Sequence, residues 1–366
     1  MRILYDHQAF TGQRYGGVAR YFHGLMESIL EMGIEVKLSL PFSNNEYLKE
    51  SSVHRPQGFK HIFGFMPTNM LVSRTNRLNS LVQIKRGKFD IFHPTFFHSY
   101  FLEHLGKKPF VLTYHDCIKE RFNLPHLDNA SHTQKQELLN RAAKIIAISE
   151  NTKKDILQLY KIKAEKIEVV PLFSTFKTHQ LPKNFQVKTP EKYLLYVGAR
   201  NDYKNFIPFV QSIAPVLKKN SDVVLLCAGS SHFNHEELEV IKSLNLETQV
   251  KHFNFDSDDT LYYLYQKAIA FVHPSLYEGF GIPILEAFAC GCPVVLSNTS
   301  CFPEVAGDAG LYFNPAKADD IAEKMEEIIQ NESLRKDLVQ KGYKRQNDFS
   351  PEITAAKTLA VYQSVL

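Results

Sequence analysis

Short, apolar, β-branched runs alternate with amphipathic segments along nearly all of this 366-residue chain, which leaves few folds open. Strand-like runs fall at 3–5, 35–40, 91–93, 110–114, 144–148 and 167–170, with helix-like segments such as 17–32 and 134–143 between them. After a polar, proline-containing stretch at 174–191 the series restarts at 193–198, 223–228, 250–253, 268–273 and 294–297. Strands separated by helices imply parallel sheets with helices on both faces. The expected fold is therefore α/β: two doubly wound, Rossmann-like domains facing each other across a cleft. Residues 1–175 and 190–366 are the expected domains, with the last helix a candidate to cross back to the first. A chain of this length with 44% apolar residues can bury two such cores. Ligands of open α/β sheets bind outside the carboxyl ends of the strands.

The most informative such end follows the run Ala268-Ile-Ala-Phe-Val272. It reads His273-Pro-Ser-Leu-Tyr-Glu278-Gly-Phe-Gly-Ile-Pro-Ile-Leu-Glu286. Gly279 and Gly281 permit a tight turn and close approach of backbone to a ligand. Pro283 suits the first position of a helix, and Gly291 would end that helix before a second strand at 293–297. Such a loop aims backbone N–H groups and a helix N-terminus at one spot, a ready site for phosphate. Glu278 precedes the glycines, and Glu286 is expected in the first turn of the helix. Carboxylates accept hydrogen bonds from ribose or hexose hydroxyls, so the group fits a nucleotide-sugar. Spacing alone is weak, because acidic pairs eight apart are common by chance; the strand, glycines and proline around this pair distinguish it. The bland alternative is a turn whose Glu286 only complements the helix dipole.

Most other polar singularities also fall at strand ends. Tyr15-Gly16-Gly17 follows the first strand, His93 ends the third, and His115-Asp116 ends the fourth. Gly198 ends the first strand of the second half and leads into Arg200-Asn-Asp-Tyr-Lys204-Asn205. Loops at one edge carrying His, Asp, Arg, Lys and Glu are what a cleft enzyme needs. His93 and His115 have a second reading as hydrogen-bonded core histidines, and Arg200 and Lys204 as surface cations. Base recognition falls to the strand ends at Ala228-Gly229 and at residues 253–255, Phe253 included, largely through backbone. Ser149 reads as a helix cap rather than a nucleophile. Asp256-Ser257-Asp258 is a literal D-x-D, a pattern that holds a metal in many sugar transferases. It directly precedes an amphipathic segment, where Asp258 or Asp259 makes a good N-cap, and capping is the preferred reading. No Walker loop and no complete GxGxxG is present, so a kinase or nicotinamide dehydrogenase lacks its signature.

The net charge of +4 hides a split: residues 1–190 carry +11 and residues 191–366 carry −7. Between residues 51 and 89 lie seven basic residues and no acidic one, among Phe59, Phe63, Phe65, Met66, Met70 and Leu71. Basic plus aromatic composition fits an anionic membrane surface or a solvated face, and no nucleic-acid motif accompanies it. No stretch reaches the 18 apolar residues of a membrane span, and the charged start is not that of a secretory signal. Five cysteines, odd in number and without a CxxC pair, read as buried hydrophobes in a reducing cytosol.

These residues resemble the retaining glycosyltransferases of family 4, which have the GT-B fold, over essentially the whole chain. Glu278 to Glu286, Gly291-Cys-Pro-Val-Val295 and Pro303-Glu304-Val305-Ala-Gly307-Asp308-Ala-Gly310 follow the family pattern closely. Asp6-His-Gln8, Tyr15-Gly-Gly17, Arg20-Tyr21, His93-Pro-Thr95 and His115-Asp116 are similar to the mannosyltransferase-like branch that builds O-antigen or capsule polysaccharide. At Tyr203-Lys204-Asn205 many relatives have Arg-Lys-Asn, and Arg200 is a candidate to supply the missing cation. The resemblance implies that the first domain binds acceptor and the second binds donor. It implies that Arg200 and Lys204 hold the donor diphosphate, with Gly16 and Gly17 on the opposite wall. It gives the ribose to Glu286, and the donor sugar to Glu278 with the backbone of Gly279, Phe280 and Gly281. His115 and Asp116 face the acceptor and the reacting carbon.

Fixed cations and a helix N-terminus stabilise a departing nucleoside diphosphate as its charge grows, the work a divalent metal does elsewhere. The expectation is a cytosolic, metal-independent, retaining hexosyltransferase with no cofactor, using GDP-mannose as donor and a glycan or lipid-linked acceptor at the inner membrane face. A UDP-sugar donor, a nucleotide-sugar 2-epimerase of the same fold and a non-catalytic nucleotide-sugar-binding subunit are the alternatives.

Overall fold

β-branched and aromatic side chains that are buried on both faces of a sheet favour parallel pairing, and every strand pair here is parallel. The computed structural model describes residues 1–58, 68–124, 130–176, 181–182, 185–200, 202–229, 231–255 and 257–366. Phe59, Phe63, Phe65 and Met66 of the acid-free run, Asp256 of the D-x-D triplet and part of the 174–191 stretch lie outside the described residues. The chain divides into two units, residues 1–173 with 350–366, and residues 174–349.

The first unit contains β1 (Arg2–Tyr5), β2 (Glu35–Leu38), β3 (Ile91–His93), β4 (Val111–Tyr114), β5 (Lys144–Ala147) and β6 (Ile167–Val169). They form the orders β2-β1-β3 and β4-β5-β6, joined by a parallel bridge between Phe92 and Phe110. The chain runs outward from β1 to β2 on one side and from β3 toward β6 on the other. β1 and β3 therefore flank a topological switch point, where open sheets form a crevice.

The second unit contains β7 (Lys192–Val197), β8 (Val223–Ala228), β9 (Val250–Phe253), β10 (Ala270–His273), β11 (Val294–Ser297) and β12 (Gly310–Phe313), in the order β12-β11-β10-β7-β8-β9. Its switch point lies between β7 and β10. Helix Phe206–Lys219 sets Phe209, Val210, Ile213 and Leu217 at helical spacing against Leu194, Tyr196, Leu225 and Cys227 on one sheet face. On the other face the Tyr193 hydroxyl donates to the Leu264 carbonyl at 2.8 Å, and Tyr265 meets Phe271 edge-on.

Helix Pro351–Gln363 starts at a Ser350 cap that accepts from Ile353 N–H, and it packs against helix Gly17–Glu31 of the first unit. Its Tyr362 hydroxyl sits between the Tyr5 hydroxyl, at 2.7 Å, and His93 Nδ1, at 2.5 Å. The other ring nitrogen of His93 meets Thr113 Oγ1 at 2.9 Å, so His93 is a core histidine. Burial holds it neutral, with a pKa of about 3.

Helix Thr68–Arg86 is two-sided. Val72, Asn76, Ser80 and Ile84 are buried at every fourth position, while the opposite stripe exposes Met70, Leu78 and Val82 at 56%, 64% and 47%. Arg74, Lys85 and Arg86 are exposed as well, while Arg77, also exposed, lays its guanidinium over the Tyr100 ring.

Several local expectations change. Pro283 is the second residue of helix Ile282–Ala289, and Glu286 lies in its second turn rather than its first. The cap of helix Asp258–Lys267 is Ser257, extended at φ −140°, whose side chain accepts from Thr260 N–H; Asp258 and Asp259 are the first two helical residues. Ser149 caps helix Glu150–Leu159 by accepting from Thr152 N–H. The edge strand β12 was not foreseen. All five cysteines are buried and free.

Candidate active site

In the second unit Lys204 and Glu278 meet at the switch point. β7 and β10 are neighbours, and the loops that leave them carry Lys204 and Glu278. Lys204 Nζ donates to Glu278 Oε1 at 2.5 Å, and His273 Nε2 lies 3.1 Å from the same oxygen. Burial alone raises the Glu278 pKa, but the Lys204 ammonium and His273 outweigh it and hold the carboxylate at about 2. His273 itself is pushed below its usual range by burial, with Glu278 opposing that shift. Ser300 fixes the loop: its hydroxyl accepts from Glu278 N–H at 3.1 Å and donates to Glu278 C=O at 2.6 Å.

Gly281 precedes the helix at φ +90°. A Cβ there would come within 3.1 Å of Ile284 and 3.2 Å of Phe302, so both backbone and space demand glycine. The turn presents the N-terminus of helix Ile282–Ala289 just after Glu278. Glu286, buried on that helix, accepts a hydrogen bond from the Tyr265 hydroxyl at 3.1 Å. Gly198, Gly229 and Phe253 lie in a row at the ends of β7, β8 and β9, where Gly198 N–H donates to Ala228 C=O and Gly229 N–H to Phe253 C=O.

Arg200 is placed differently from the expected phosphate cation. Its Nε pairs with Glu237 at 2.9 Å, its Nη2 donates to the carbonyls of Ser231 and His232, and the side chain is 3% exposed. The guanidinium also lies over the rings of Phe206 and Phe233. Its charge is spent on fixing the loop after β8, and only Nη1 is buried without a partner among the described residues. The sequence shows no trace of this, because Glu237 lies 37 residues away.

In the first unit, Gly16 caps helix Gly17–Glu31 with extended backbone. His115 lies edge-on to Tyr21 and Phe22 of that helix. Burial lowers the His115 pKa to about 4, and its Nε2 has no partner among the described residues. Asp116 Oδ1 accepts from Ile118 N–H at 3.0 Å, which orders the turn after β4. His273, Ser300 and Tyr265 were missed by sequence reasoning. The only signal was a histidine closing an apolar strand run.

Among the described residues, no group of three or more His, Cys, Asp or Glu is arranged to hold a metal ion, and no helix is long and apolar enough to cross a membrane.

Residues 15–173 match the family description "Glycosyltransferase Family 4", and residues 178–345 match "Glycosyl transferases group 1". O-antigen chain mannosyltransferase B of Escherichia coli is 29% identical over 69% of this chain and 70% of its own length. Sucrose-phosphate synthase of Thermosynechococcus elongatus superimposes with a TM-score of 0.74 at 19% identity, covering 100% of this chain and 99% of that one. The Anabaena protein HepE, solved with UDP and glucose, gives 0.71 at 18% identity with 100% of both chains covered. The fold and these matches define a glycosyltransferase with the GT-B fold. More narrowly, the chain belongs to glycosyltransferase family 4, with mannosyltransferases among its relatives.

Proposed function

We propose that this chain is a retaining, metal-independent hexosyltransferase that moves mannose from GDP-mannose to a lipid-linked or oligosaccharide acceptor in bacterial surface-polysaccharide synthesis. The observation that carries this is the Lys204–Glu278 pair at the switch point of the second unit, followed at once by a helix N-terminus. Glu278 is kept ionised and grips the donor sugar with the backbone of Gly279, Phe280 and Gly281. Lys204 and the helix N-terminus meet the leaving diphosphate, whose negative charge grows as the glycosidic bond breaks. Glu286, oriented by Tyr265, takes the ribose hydroxyls, and Gly198, Gly229 and Phe253 border the base. In the first unit, Gly16 and Gly17 shape the wall for the diphosphate, and His115 and Asp116 serve the acceptor and the reacting carbon.

The mannosyl reading is supported by the name of the E. coli relative. A UDP-sugar donor is the second reading, favoured by the UDP bound in the Anabaena neighbour. Enzyme action would take place in the cytoplasm, at the membrane's inner face. The acid-free, apolar-and-basic stripe of helix Thr68–Arg86 supports that placement.

Nucleotide release from GDP-mannose and from UDP-glucose, with and without a mannosylated lipid acceptor and with excess chelator, tests the reading. Acceptor-dependent, chelator-resistant release of GDP is expected, with the anomeric configuration kept in the product. Release of UDP alone would transfer the reading to UDP-sugars. Equal release without acceptor would indicate an epimerase, and loss of activity in chelator would end the claim of metal independence.

A further inference from the structure

His273 closes an otherwise apolar strand, and its surroundings decide where its hydrogen sits. The residue is 4% exposed, with its ring edge-on to Phe271 at 5.4 Å and tilted against Phe302 at 4.8 Å between centroids. Nδ1 is buried with no partner among the described residues, so an N–H there would be stranded. Nε2, 3.1 Å from Glu278 Oε1, has a carboxylate to donate to. The neutral ring carries one hydrogen, and it belongs on Nε2.

Glu278 Oε1 therefore takes two donors, this N–H and the Lys204 ammonium, which together fill its lone pairs. Oε2 accepts from none of the described residues, and it is not shut away from solvent as His273 Nδ1 is. A sugar hydroxyl that donates to this carboxylate thus has Oε2 open to it. The two donors on Oε1 differ in what holds them. His273 ends β10 within the sheet, between β11 and β7. The segment from His273 to Glu278 is pinned, with Leu276 N–H donating to Tyr203 C=O at 2.8 Å and the Ser297 hydroxyl to Ser275 C=O. Lys204 instead reaches Oε1 on a flexible aliphatic stem from the short turn Asp202–Lys204.

We propose that His273 is a positioning residue: it keeps Glu278 Oε1 tied down when Lys204 turns to the leaving diphosphate, so that Oε2 stays aimed at the donor sugar while the bond breaks. The inference rests on the glycosyltransfer reading above and adds to it which carboxylate oxygen serves the sugar and what holds it there. With Lys204 as the lone anchor, the carboxylate would be free to rotate as its ammonium is drawn away. The imidazole is fixed at the strand end and carries no charge for the diphosphate to draw on. In the ground state Lys204 still holds Oε1, so loss of the His273 donor is felt in kcat and little in the KM for donor.

The test compares the intact chain with His273→Gln, which keeps an N–H near the place of Nε2, and His273→Phe, which keeps the aromatic packing and loses that N–H. Acceptor-dependent nucleotide release is expected to show kcat lowered about tenfold or more in His273→Phe, with the KM for donor within about threefold of wild type. His273→Gln is expected to recover most of that kcat, which a purely structural histidine would not show. Should His273→Phe not fold, His273→Met serves as the donor-free variant. Side-chain nitrogen NMR reads the pairing without substrate. The histidine signal missing from the His273 variants is expected to be a neutral ring with its hydrogen on Nε2. It should remain so in Lys204→Ala, where His273 alone is left on Oε1. Equal kcat in all the proteins, an equal loss with and without the N–H, a loss confined to KM, a hydrogen on Nδ1, or a pairing that vanishes in Lys204→Ala overturns the inference. A chain that turns over neither GDP-mannose nor UDP-glucose sinks the donor reading, and the nitrogen spectra then decide by themselves whether His273 holds Glu278.

Discussion

Lys204 and Glu278 come from loops 74 residues apart in sequence and share one hydrogen bond of 2.5 Å between Nζ and Oε1. In the proposed reading the pair couples the cation that meets the leaving group to the carboxylate that grips the sugar. Lys204→Ala is therefore expected to lower kcat, by about 2.7–4 kcal/mol in activation free energy if it acts as a preorganised charge partner. Glu278→Gln should also lower kcat. The double variant should cost much less than the sum, because each single change already breaks the shared bond. Steady-state kinetics of the four proteins gives the answer, and strict additivity would separate the two residues into independent roles.

Arg200→Ala should act on the fold more than on the chemistry. It strands Glu237 in a buried position and frees the carbonyls of Ser231 and His232. Breaking a buried ion pair from one side costs about 3–5 kcal/mol. Urea unfolding should show a loss of that order, with Glu237→Gln in the Arg200→Ala background recovering part of it. Wild-type stability combined with a collapsed kcat would restore Arg200 to the diphosphate.

Stability should fall as acid is added, beginning well above the carboxylate range. His93 and His115 are held at about 3 and about 4 by burial, so the unfolded chain binds protons that the folded one refuses. For a base depressed on folding, the stabilisation is complete above its unfolded pKa near 6.5 and is lost as pH falls toward the folded value. His115→Gln removes one such proton. Between pH 6 and 4.5 its unfolding free energy should slope less steeply than wild type, by up to about 1.4 kcal/mol per pH unit. Parallel slopes would show that His115 is protonated in the fold.

Membrane association, if it uses helix Thr68–Arg86, should depend on charge and on the apolar stripe together. Arg74, Lys85 and Arg86 are exposed, and each cation near an anionic surface contributes about 1 kcal/mol. Reversing these three to Glu should release the chain from acidic liposomes and leave transfer to a soluble acceptor intact. Arg77 is left alone in this variant because it lines a cavity of the first unit and lies over the Tyr100 ring. Liposome binding that ignores both salt and these substitutions would make the stripe a solvated face.

The sequence made some of this plain and hid the rest for physical reasons. Strands 91–93, 223–228, 250–253 and 294–297 are legible to the residue, since apolar runs end abruptly at polar or glycine residues. Strand β12 also shows an apolar run, Leu311-Tyr-Phe313, but one too short to mark a strand by itself at a sheet edge where three of its four residues are half-buried. In Ser257-Asp258-Asp259, three neighbours can all cap a helix, and only the backbone angles select Ser257. Glu278 and Lys204 are legible through their glycine-rich and strand-end settings. The ion pair of Arg200 is not, since nothing local links it to Glu237.

The return of helix Pro351–Gln363 to the first unit also sets an order for synthesis. Tyr362 is the partner of both Tyr5 and His93, so a nascent chain of 173 residues has neither bond. A buried polar group left unmatched costs about 1–3 kcal/mol. The first unit is thus made before the second yet completed after it, and must wait in an incomplete form while the second unit is made.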